Sequence, residues 1–432
     1  MHELGNFVYD KADHSAIQTQ DFVFHQLIPY IGNKRKLLSL IERALSLTGA
    51  HSGSTFLDMF TGSGVVSRMA KKLGYMVVSN DWEPYSNEIN TCYIACNKVP
   101  PFVALEGYEA ALEVLNSLPD REDWITRHLC PDDDDNPDIE KDRMFYTRAN
   151  GLRMDAMRHQ VGEWEEAGLL SQEERACLLA PMLYQACYTS NTSGVFKGFH
   201  NGWGGQTGTA LYRILSRFEV KPAVFFDNHE DNIVLKMDAG KVPAYLDEAG
   251  IKVDVAYLDP PYNQHPYGSN YHVLNTVALW DKPELTEKIQ GRNKAAIRED
   301  WQTERRSAYN YKASALVEYR KTLQALRARY ILTSYSTDGY IPLEGMLEAC
   351  ISIGHTQFVL QHYKRYRVSS QRFSDKPLNV EFVLVVDTQQ RHVGRSAAEL
   401  ADLIREAEED ALSRHPETIT SSMSSLQPSL FD

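Results

Sequence analysis

The stretch STFLDMFTGSGVVSRMAKKLGYMVVSNDWEP, residues 54–84, contains two short apolar runs separated by a turn and an amphipathic segment. The runs Thr55–Phe60 and Tyr75–Ser79 have the length and composition of buried strands. Between them, a glycine-containing turn precedes residues with helical spacing. A strand, a helix and a second strand in this order predict a βαβ unit, and therefore an α/β fold with a doubly wound parallel sheet.

A second stretch, VDVAYLDPPYNQHPYGSNY at residues 253–271, predicts another strand and its abrupt end. Proline lacks the N–H group that a central strand donates to its neighbour, so the strand must stop before Pro260 and Pro261. The strand's carboxyl end then carries Asp259 and Tyr262 on a rigid turn. Open α/β sheets bind their ligands at this edge.

The chemistry of this turn suits a planar exocyclic amine. The Asp259 carboxylate and the Pro260 carbonyl oxygen can both accept hydrogen bonds from one NH₂ group, and the Tyr262 ring can stack on an extruded base. Two acceptors stabilise the positive charge that develops on the nitrogen as it attacks an electrophile. We therefore interpret residues 259–262 as a catalytic turn.

The turn DMFTGSG after the first strand indicates a nucleotide-type cofactor. Gly62 and Gly64 allow close approach of a ligand to the backbone and open a helix N-terminus. Asp81, which follows the second strand, can accept hydrogen bonds from ribose hydroxyls, although a helix cap or turn residue is an open alternative. The sequence contains no GxxxxGK[ST] motif, which argues against an ATPase of that type.

Composition and charge bound the class of protein. The chain has 432 residues, 43% hydrophobic and 24% charged, which is ordinary for a globular protein. No apolar run approaches the ~20 residues that span a bilayer. The six cysteines show no CxxC spacing, which favours reduced thiols, a cytoplasmic location and no metal site. A membrane partner is not expected.

The net charge of −13 by itself argues against a nucleic-acid partner. Its distribution is more informative, because residues 292–329 contain ten Lys or Arg against four Asp or Glu, and residues 362–376 contain five against one. These basic segments are compatible with phosphate binding. For residues 292–329, a solvated helix face is an equally open interpretation.

The order of patterns along the chain predicts a discontinuous domain. Residues 1–84 and 227–390 have α/β character and form the catalytic and cofactor-binding domain. Residues 85–226 form an inserted, mostly helical target-recognition domain. Residues 391–432 form a charged helix, placed at 388–412, and a Ser-rich disordered tail.

The C-terminal part of the α/β region contains further strand patterns. Residues 329–336 form a strand, which a helix near 343–352 follows. The segments 355–363 and 380–387 then form a β-hairpin that closes the sheet.

These motifs together resemble one family. IPYIGNKRKLL, FLDMFTGSGVV, NDWEP, KMDAG, YLDPPYN with YGSNYHVLNTVALWD, TSYSTDGYIP and HYKRYR resemble the Dam-type DNA methyltransferases that act on the adenine N6 amine. They are most similar to the FokI-like restriction–modification branch. The resemblance covers most of residues 26–90 and 230–387, and it implies a Rossmann-like S-adenosylmethionine-dependent fold.

The resemblance implies that S-adenosylmethionine methylates a flipped adenine in double-stranded DNA. Asp259, Pro260, Pro261 and Tyr262 are the implied catalytic residues. The turn DMFTGSG departs from the shorter acidic-Pro-Phe-x-Gly form of Dam itself and fits the FokI-like branch. The implied cofactor-binding residues are Tyr30, Lys34, Asp58, Phe60, Gly62, Gly64, Asp81, Asp238 and Asp259.

The resemblance also implies DNA contacts. YTSNTSGVFKGFHNGWGG has the Asn…Gly-x-Phe pattern of a DNA-contacting hairpin, although a structural glycine-rich loop is an open alternative. Basic residues of the second basic segment would hold phosphates beside the flipped base. The predicted DNA-binding residues are Asn191, Lys197, Asn201, Lys364, Arg365 and Arg367.

The C-terminal end of the sequence contains a candidate partner-binding peptide. QPSLF within Gln427–Phe431 resembles peptides that dock bacterial sliding clamps, and a tail with two stray apolar residues is the alternative. A cognate restriction endonuclease is a further expected partner in a restriction–modification setting, and a solitary phage or host methylase is the open alternative. Methylation of the cytosine N4 amine, a non-catalytic DNA-binding subunit, and an RNA or protein amide methyltransferase are the other open functions.

Overall fold

The computed structural model describes residues 22–205, 208–262, 264–291, 293–364 and 378–414. The strands are β1 (Thr55–Asp58), β2 (Met76–Asn80), β3 (Ile233–Leu235), β4 (Val253–Leu258), β5 (Ala328–Ser336), β6 (His355–Lys364) and β7 (Leu378–Asp387). The helices are α1 (Leu38–Ser46), α2 (Val65–Lys72), α3 (Pro84–Asn90), α4 (Tyr108–Ser117), α5 (Trp124–Leu129), α6 (Arg148–Glu166), α7 (Gln172–Tyr188), α8 (Leu211–Ile214), α9 (Val242–Glu248), α10 (Tyr267–Asn270), α11 (His272–Leu279), α12 (Ala315–Ala325), α13 (Leu343–Ile353) and α14 (Ala397–Arg414).

The strands form one sheet in the order β3-β2-β1-β4-β5-β7-β6. The first five are parallel, and β7 runs antiparallel to both β5 and β6. The predicted α/β fold and the C-terminal hairpin are confirmed, with β7 rather than β6 beside β5. The strand order reverses between β1 and β4, which makes the edge beyond their carboxyl ends the expected ligand crevice.

Two predicted boundaries were wrong, the end of the first strand and the start of the C-terminal helix. The first strand ends at Asp58 rather than Phe60, because the Thr61 hydroxyl donates to the Asp58 carbonyl oxygen (3.1 Å) and turns the chain. The charged C-terminal helix begins at Ala397 rather than 388. Ser396 and Glu399 form a reciprocal capping box that sets this start, with the Ser396 N–H donating to the Glu399 carboxylate (2.7 Å).

The inserted segment contains helices and, within residues 85–205 and 208–226, no strand. Its buried apolar residues, such as Leu178, belong to the same hydrophobic core as Phe56 of β1 and Val77 of β2. The insert therefore packs directly on one face of the sheet. Its exact boundaries stay a prediction.

One buried arginine joins the insert to the chain that follows the catalytic turn. Arg143 is 1% exposed, and its guanidinium donates to several backbone carbonyls between Thr286 and Lys294, the shortest contact being 2.6 Å to Thr286. A buried guanidinium needs such acceptors to offset its lost hydration. This contact fixes the position of the insert relative to the catalytic segment.

The first basic segment is extensively paired within the protein. Arg298 contacts Asp281 (2.6 Å) and Asp300 (2.9 Å), and Arg305 contacts Asp300 (2.6 Å). Burial opposes the charge of Arg298, but these two carboxylates raise its pKa above the ordinary value. The structure thus favours internal pairing over phosphate binding for Arg298 and Arg305.

The cysteines do not form disulfides in the structure. All six cysteines are buried with free thiols. Across the described residues, no helix is long and apolar enough to cross a bilayer, and no cluster of acidic, His and Cys side chains is arranged to hold a metal ion. Arg365, Arg367 and the segment Gln427–Phe431 lie outside the described residues.

Candidate active site

A cleft opens at the carboxyl ends of β1, β2 and β4. The sequence-predicted residues that line it are Tyr30, Lys34, Asp58, Phe60, Asp81, Asp238, Asp259 and Pro261. Residues separated by more than 200 positions in the chain therefore meet in one site.

The catalytic turn is organised around one buried lysine. The Lys34 ammonium lies 3.0 Å from Asp259 Oδ1 and donates to the Tyr262 hydroxyl at 2.9 Å. Lys34 is 4% exposed and Asp259 17% exposed. Burial raises the pKa of Asp259, and the adjacent Lys34 charge opposes that rise. The ion pair thus keeps a carboxylate available inside a poorly hydrated site.

The Tyr262 ring is held in place by its neighbours. It packs edge-on against Tyr335 with ring centroids 4.6 Å apart, and the Lys34 ammonium lies 4.6 Å from its centroid. The Tyr262 carbonyl oxygen accepts from the Tyr340 N–H at 3.1 Å. These contacts leave Tyr262 and buried Pro260 beside the cleft rather than on its wall.

Asp58 presents an unpaired oxygen in this cleft. Its Oδ2 accepts from the Ser67 hydroxyl at 2.8 Å, and the Ser79 hydroxyl donates in turn to Ser67. Its Oδ1 is buried and has no hydrogen-bond partner. Burial raises the pKa of Asp58 to about 7, against the lowering effect of Ser67. This oxygen can accept a hydrogen bond from a ligand bound in the cleft that Asp58 lines.

The other two predicted acids also organise the local backbone. The Asp81 carboxylate accepts from the N–H groups of Gly62 and Glu83, both at 2.9 Å. Asp238 Oδ1 accepts from the Gly240 N–H at 2.7 Å. Each carboxylate retains lone pairs beyond these bonds and lines the cleft. The turn role and the ligand role of Asp81 are therefore compatible.

Gly62 and Gly64 must be glycine because a Cβ at either position would collide with a neighbouring side chain of the protein. Gly62 has φ +54°, and a Cβ there would lie 2.7 Å from the Tyr30 ring. Gly64 has φ +84°, and a Cβ there would lie 2.4 Å from Asn90 Oδ1. Neither glycine lines the cleft. They shape the loop whose residues Phe60, Thr61 and Ser63 line the cleft.

A stack of three tyrosines supports the N-terminal motif. Tyr30, Tyr267 and Tyr271 have nearly parallel ring planes, and the Tyr30 centroid lies 5.0 Å from that of Tyr267 and 4.9 Å from that of Tyr271. The Tyr267 hydroxyl donates to the Ile31 carbonyl oxygen, and the Tyr271 hydroxyl accepts from the Ile31 N–H. The motif that carries Lys34 is thereby fastened to the chain that follows the catalytic turn.

The predicted DNA-binding residues differ in their exposure to solvent. Asn191 is fully buried: its amide donates to the carbonyls of Met144 and His200, and its oxygen accepts from the Gly204 N–H. This occupancy leaves Asn191 no free polar atom for DNA. The structural alternative, a glycine-rich loop braced by its own asparagine, describes this position.

Lys197 and Asn201 are accessible at the surface. Lys197 is partly exposed and lies 3.3 Å from His265 Nδ1, in the segment after the catalytic turn. Asn201 is exposed and accepts from Lys294 at 2.6 Å. The Lys364 side chain, like Arg365 and Arg367, lies outside the described part of the chain.

Several residues that line the cleft were not among the predicted site residues, although some lie within the quoted motifs. Glu83 is buried, accepts from Asn275 at 2.6 Å and lies 3.4 Å from Arg305; burial raises its pKa to about 7. Tyr309 packs edge-on against Phe60 with centroids 5.3 Å apart. Arg305 and Tyr309 belong to the first basic segment, residues 292–329, whose charge predicted phosphate binding rather than a place in this cleft. Others lining the cleft are Asn33, Thr61, Tyr267, Asn310 and Glu318.

The doubly wound sheet, the acidic cleft and the Asp-Pro-Pro-Tyr turn define a nucleic-acid-modifying methyltransferase. The model of the D12 class N6 adenine-specific DNA methyltransferases matches residues 30–309. The chain belongs to this family, and its activity is site-specific methylation of adenine in DNA.

Named relatives support this assignment. Type II methyltransferase M.NlaIII of Neisseria lactamica is 30% identical over 356 residues, spanning 82% of this chain and 96% of the relative. Type II methyltransferase M.FokI of Planomicrobium okeanokoites is 28% identical over 347 residues, spanning 80% of this chain and 50% of the relative. Modification methylase LlaI of Lactococcus lactis subsp. lactis is 27% identical over 367 residues, or 82% and 54%. The expected FokI-like restriction–modification branch is confirmed.

Proposed function

We propose that the cleft binds S-adenosylmethionine and that the Asp259–Tyr262 turn holds the target adenine, flipped out of a DNA duplex, beside it. The observation that carries this proposal is the convergence of Asp58, Asp81, Asp238 and Asp259 on one cleft. The ammonium group, the ribose hydroxyls and the adenine amine of the cofactor are all hydrogen-bond donors, so a cleft rich in carboxylates suits them. The unpaired Oδ1 of Asp58 supports the same assignment.

When bound, S-adenosylmethionine supplies an electrophilic methyl group. The protein's part is to orient the amine and to accommodate its developing charge. We assign the Asp259 carboxylate, which lies 3.0 Å from the Lys34 ammonium, together with the Pro260 carbonyl oxygen, to the adenine amine. Tyr262, packed against Tyr335, offers its ring to the base.

We place part of the DNA contact surface on the loop that contains Lys197 and Asn201. This loop is docked on the segment after the catalytic turn, because the Phe196 N–H donates to the Asn270 carbonyl oxygen (2.7 Å) and His272 lies 2.8 Å from the Phe196 carbonyl oxygen. Duplex contacts on the loop would thus be coupled to the position of the flipped base. Lys364, Arg365 and Arg367 remain proposed phosphate contacts.

The proposed biological setting is a cytoplasmic restriction–modification system with a cognate endonuclease. The printed names of the relatives support this setting: two are type II methyltransferases and one is a modification methylase. The clamp-binding role of Gln427–Phe431 stays a separate prediction that none of these relatives supports.

Transfer of labelled methyl from S-adenosylmethionine to unmethylated DNA of mixed sequence tests the proposal. We expect the label in N6-methyladenine after digestion to nucleosides. Label in N4-methylcytosine would overturn the base assignment. No label, from folded protein that binds both cofactor and DNA, would favour a non-catalytic subunit.

Cofactor affinity should depend on the charge of Asp58. Its carboxylate has a pKa of about 7, so it is largely neutral in mildly acidic solution and must ionise to pair with the ammonium group of the ligand. We expect the affinity for S-adenosylhomocysteine to rise on the order of 10-fold between about pH 5.5 and pH 7.5. Titration calorimetry measures this, and an Asp58→Asn variant should bind more weakly with little pH dependence. An unchanged profile in that variant would contradict the assignment.

A further inference from the structure

A buried acid outside the family-model match, Glu381 on β7, lies behind the catalytic turn. It is 9% exposed, and the Tyr262 hydroxyl lies 3.4 Å from its Oε2 in a donating geometry. Tyr262 itself accepts from Lys34, which pairs with Asp259. Four side chains thus form one continuous chain in the order Asp259, Lys34, Tyr262 and Glu381, with contacts of 3.0, 2.9 and 3.4 Å.

The charges in this chain do not balance. Lys34 is one cation between two buried carboxylates, so the cluster carries one uncompensated negative charge when both acids are ionised. A poorly hydrated site disfavours such a charge, and binding one proton removes it. The register partners of Glu381 on β5 and β6, Ser336 and Gln361, are not acidic or basic. The titratable or charged groups that act on Glu381 are Lys34, Tyr257, Asp259, Tyr262 and Asp338.

We propose that Glu381 stores the proton that the adenine amine releases during methyl transfer, and that it does so through Tyr262 and Lys34. This inference rests on the proposed function of the cleft. The lone pair of the amine forms the new N–C bond, while the S–C bond breaks and leaves its electron pair on sulfur. The methylated amine is then cationic and loses one proton, which passes first to Asp259.

The proton moves along the chain of contacts without changing the intermediate groups. Asp259 passes the proton to Lys34, and Lys34 at the same time gives one of its own protons to the Tyr262 oxygen. Tyr262 in turn gives its hydroxyl proton to Glu381. The net result is one proton on Glu381, an ionised Asp259 and a cationic Lys34. The cluster is then neutral, and Asp259 is ready for the next substrate.

The environment of Glu381 suits a proton acceptor near neutral pH. Burial raises its pKa to about 7, and the nearby Lys34 charge opposes the rise. Above that pH, Glu381 is ionised and able to accept a proton. Below it, Glu381 is already protonated, so the acceptor is filled before the reaction begins.

Single-turnover methyl transfer measured from about pH 5.5 to pH 9 tests this role. The wild-type rate should fall as the pH drops through about 7. Glu381→Gln mimics the filled acceptor, so its rate should be flat with pH and on the order of 10- to 100-fold below wild type at high pH. Glu381→Asp should restore part of the pH dependence. A wild-type profile in Glu381→Gln would overturn the proposal.

A second measurement uses proton release, observed with an indicator dye in weak buffer during one wild-type turnover. Storage on Glu381 predicts that the proton appears in solution after methyl transfer, and that Glu381→Gln abolishes the delay. Simultaneous appearance in wild type would overturn the proposal even if the variant failed to fold. A wild-type protein with no methyl transfer at all would instead refute the proposed function.

Cofactor-free protein gives a readout independent of catalysis. The folded pKa of Glu381 is raised, so between the unfolded value of 4.5 and about 7 the native state binds more protons. Stability should therefore decrease as the pH rises through this window. Glu381→Gln should flatten this decrease, whereas Asp387→Asn, at the other end of β7, serves as the control and should not. Equal slopes in Glu381→Gln and wild type would show that Glu381 holds no proton there.

Discussion

Asp259→Asn is expected to lower single-turnover methyl transfer roughly 10²- to 10³-fold, the cost of removing one preorganised group that stabilises transition-state charge. The substitution keeps the shape of the side chain but removes the charge that pairs with Lys34. It also replaces an acceptor facing the amine with an amide that can present its own donors. The measurement is label transfer to DNA at saturating cofactor and DNA.

The control for this variant is Asp247→Asn, which removes a surface carboxylate 3.4 Å from Arg327. It should leave the rate unchanged, because an exposed ion pair contributes little to stability. Binding of S-adenosylhomocysteine should survive in both variants, since Asp58, Asp81 and Asp238 remain. Wild-type activity in Asp259→Asn would exclude a catalytic role for the carboxylate.

Gly62→Ala is expected to weaken cofactor binding at least about 10-fold. A residue with a Cβ is strained at φ +54°, at a cost of about 1–2 kcal/mol. The new Cβ would also lie 2.7 Å from the Tyr30 ring, which packs closely against Tyr267 and Tyr271 and cannot move freely. The loop must shift instead, and its shift displaces the Gly62 N–H from Asp81. Calorimetry with S-adenosylhomocysteine measures the loss.

Gly250→Ala separates these two causes. Gly250 also has positive φ, +70°, but a Cβ there would meet nothing within 4 Å. This variant should lose a comparable amount of stability from backbone strain and bind the cofactor normally. If Gly62→Ala bound as tightly as Gly250→Ala, the contact with Tyr30 would have no bearing on the cofactor site.

Much of the catalytic half could be predicted from local pattern. The run 253–258 matched β4 at both ends, since prolines set its end without help from the rest of the chain. Asp58 ends β1, Asp81 follows β2 and Asp238 follows β3, and all three line the cleft because the ends of parallel strands share one edge. Lys34 came only from family resemblance, and its contact with Asp259 spans 225 positions.

The insert could be predicted far less well. Asn191 lies in a loop whose composition suits either a DNA contact or a structural turn, and only burial distinguishes the two. Arg298 and Arg305 count toward a basic segment until their partners Asp281 and Asp300 are known. Charge counted along a sequence cannot show which acids fold against it.

The sequence by itself determined β1, β2, β4, β5 and the Asp259–Tyr262 turn, because strand periodicity and proline chemistry act over a few neighbouring residues, and the resemblance of its motifs gave the family. Only the tertiary structure decided which side chains lie around Asp259, why Gly62 and Gly64 must be glycine, and which polar residues of the insert are buried. Those properties depend on contacts between distant segments. Glu381 is the clearest case: an acid in an ordinary strand pattern comes within 3.4 Å of the Tyr262 hydroxyl because β7 pairs beside β5, next to the turn that follows β4.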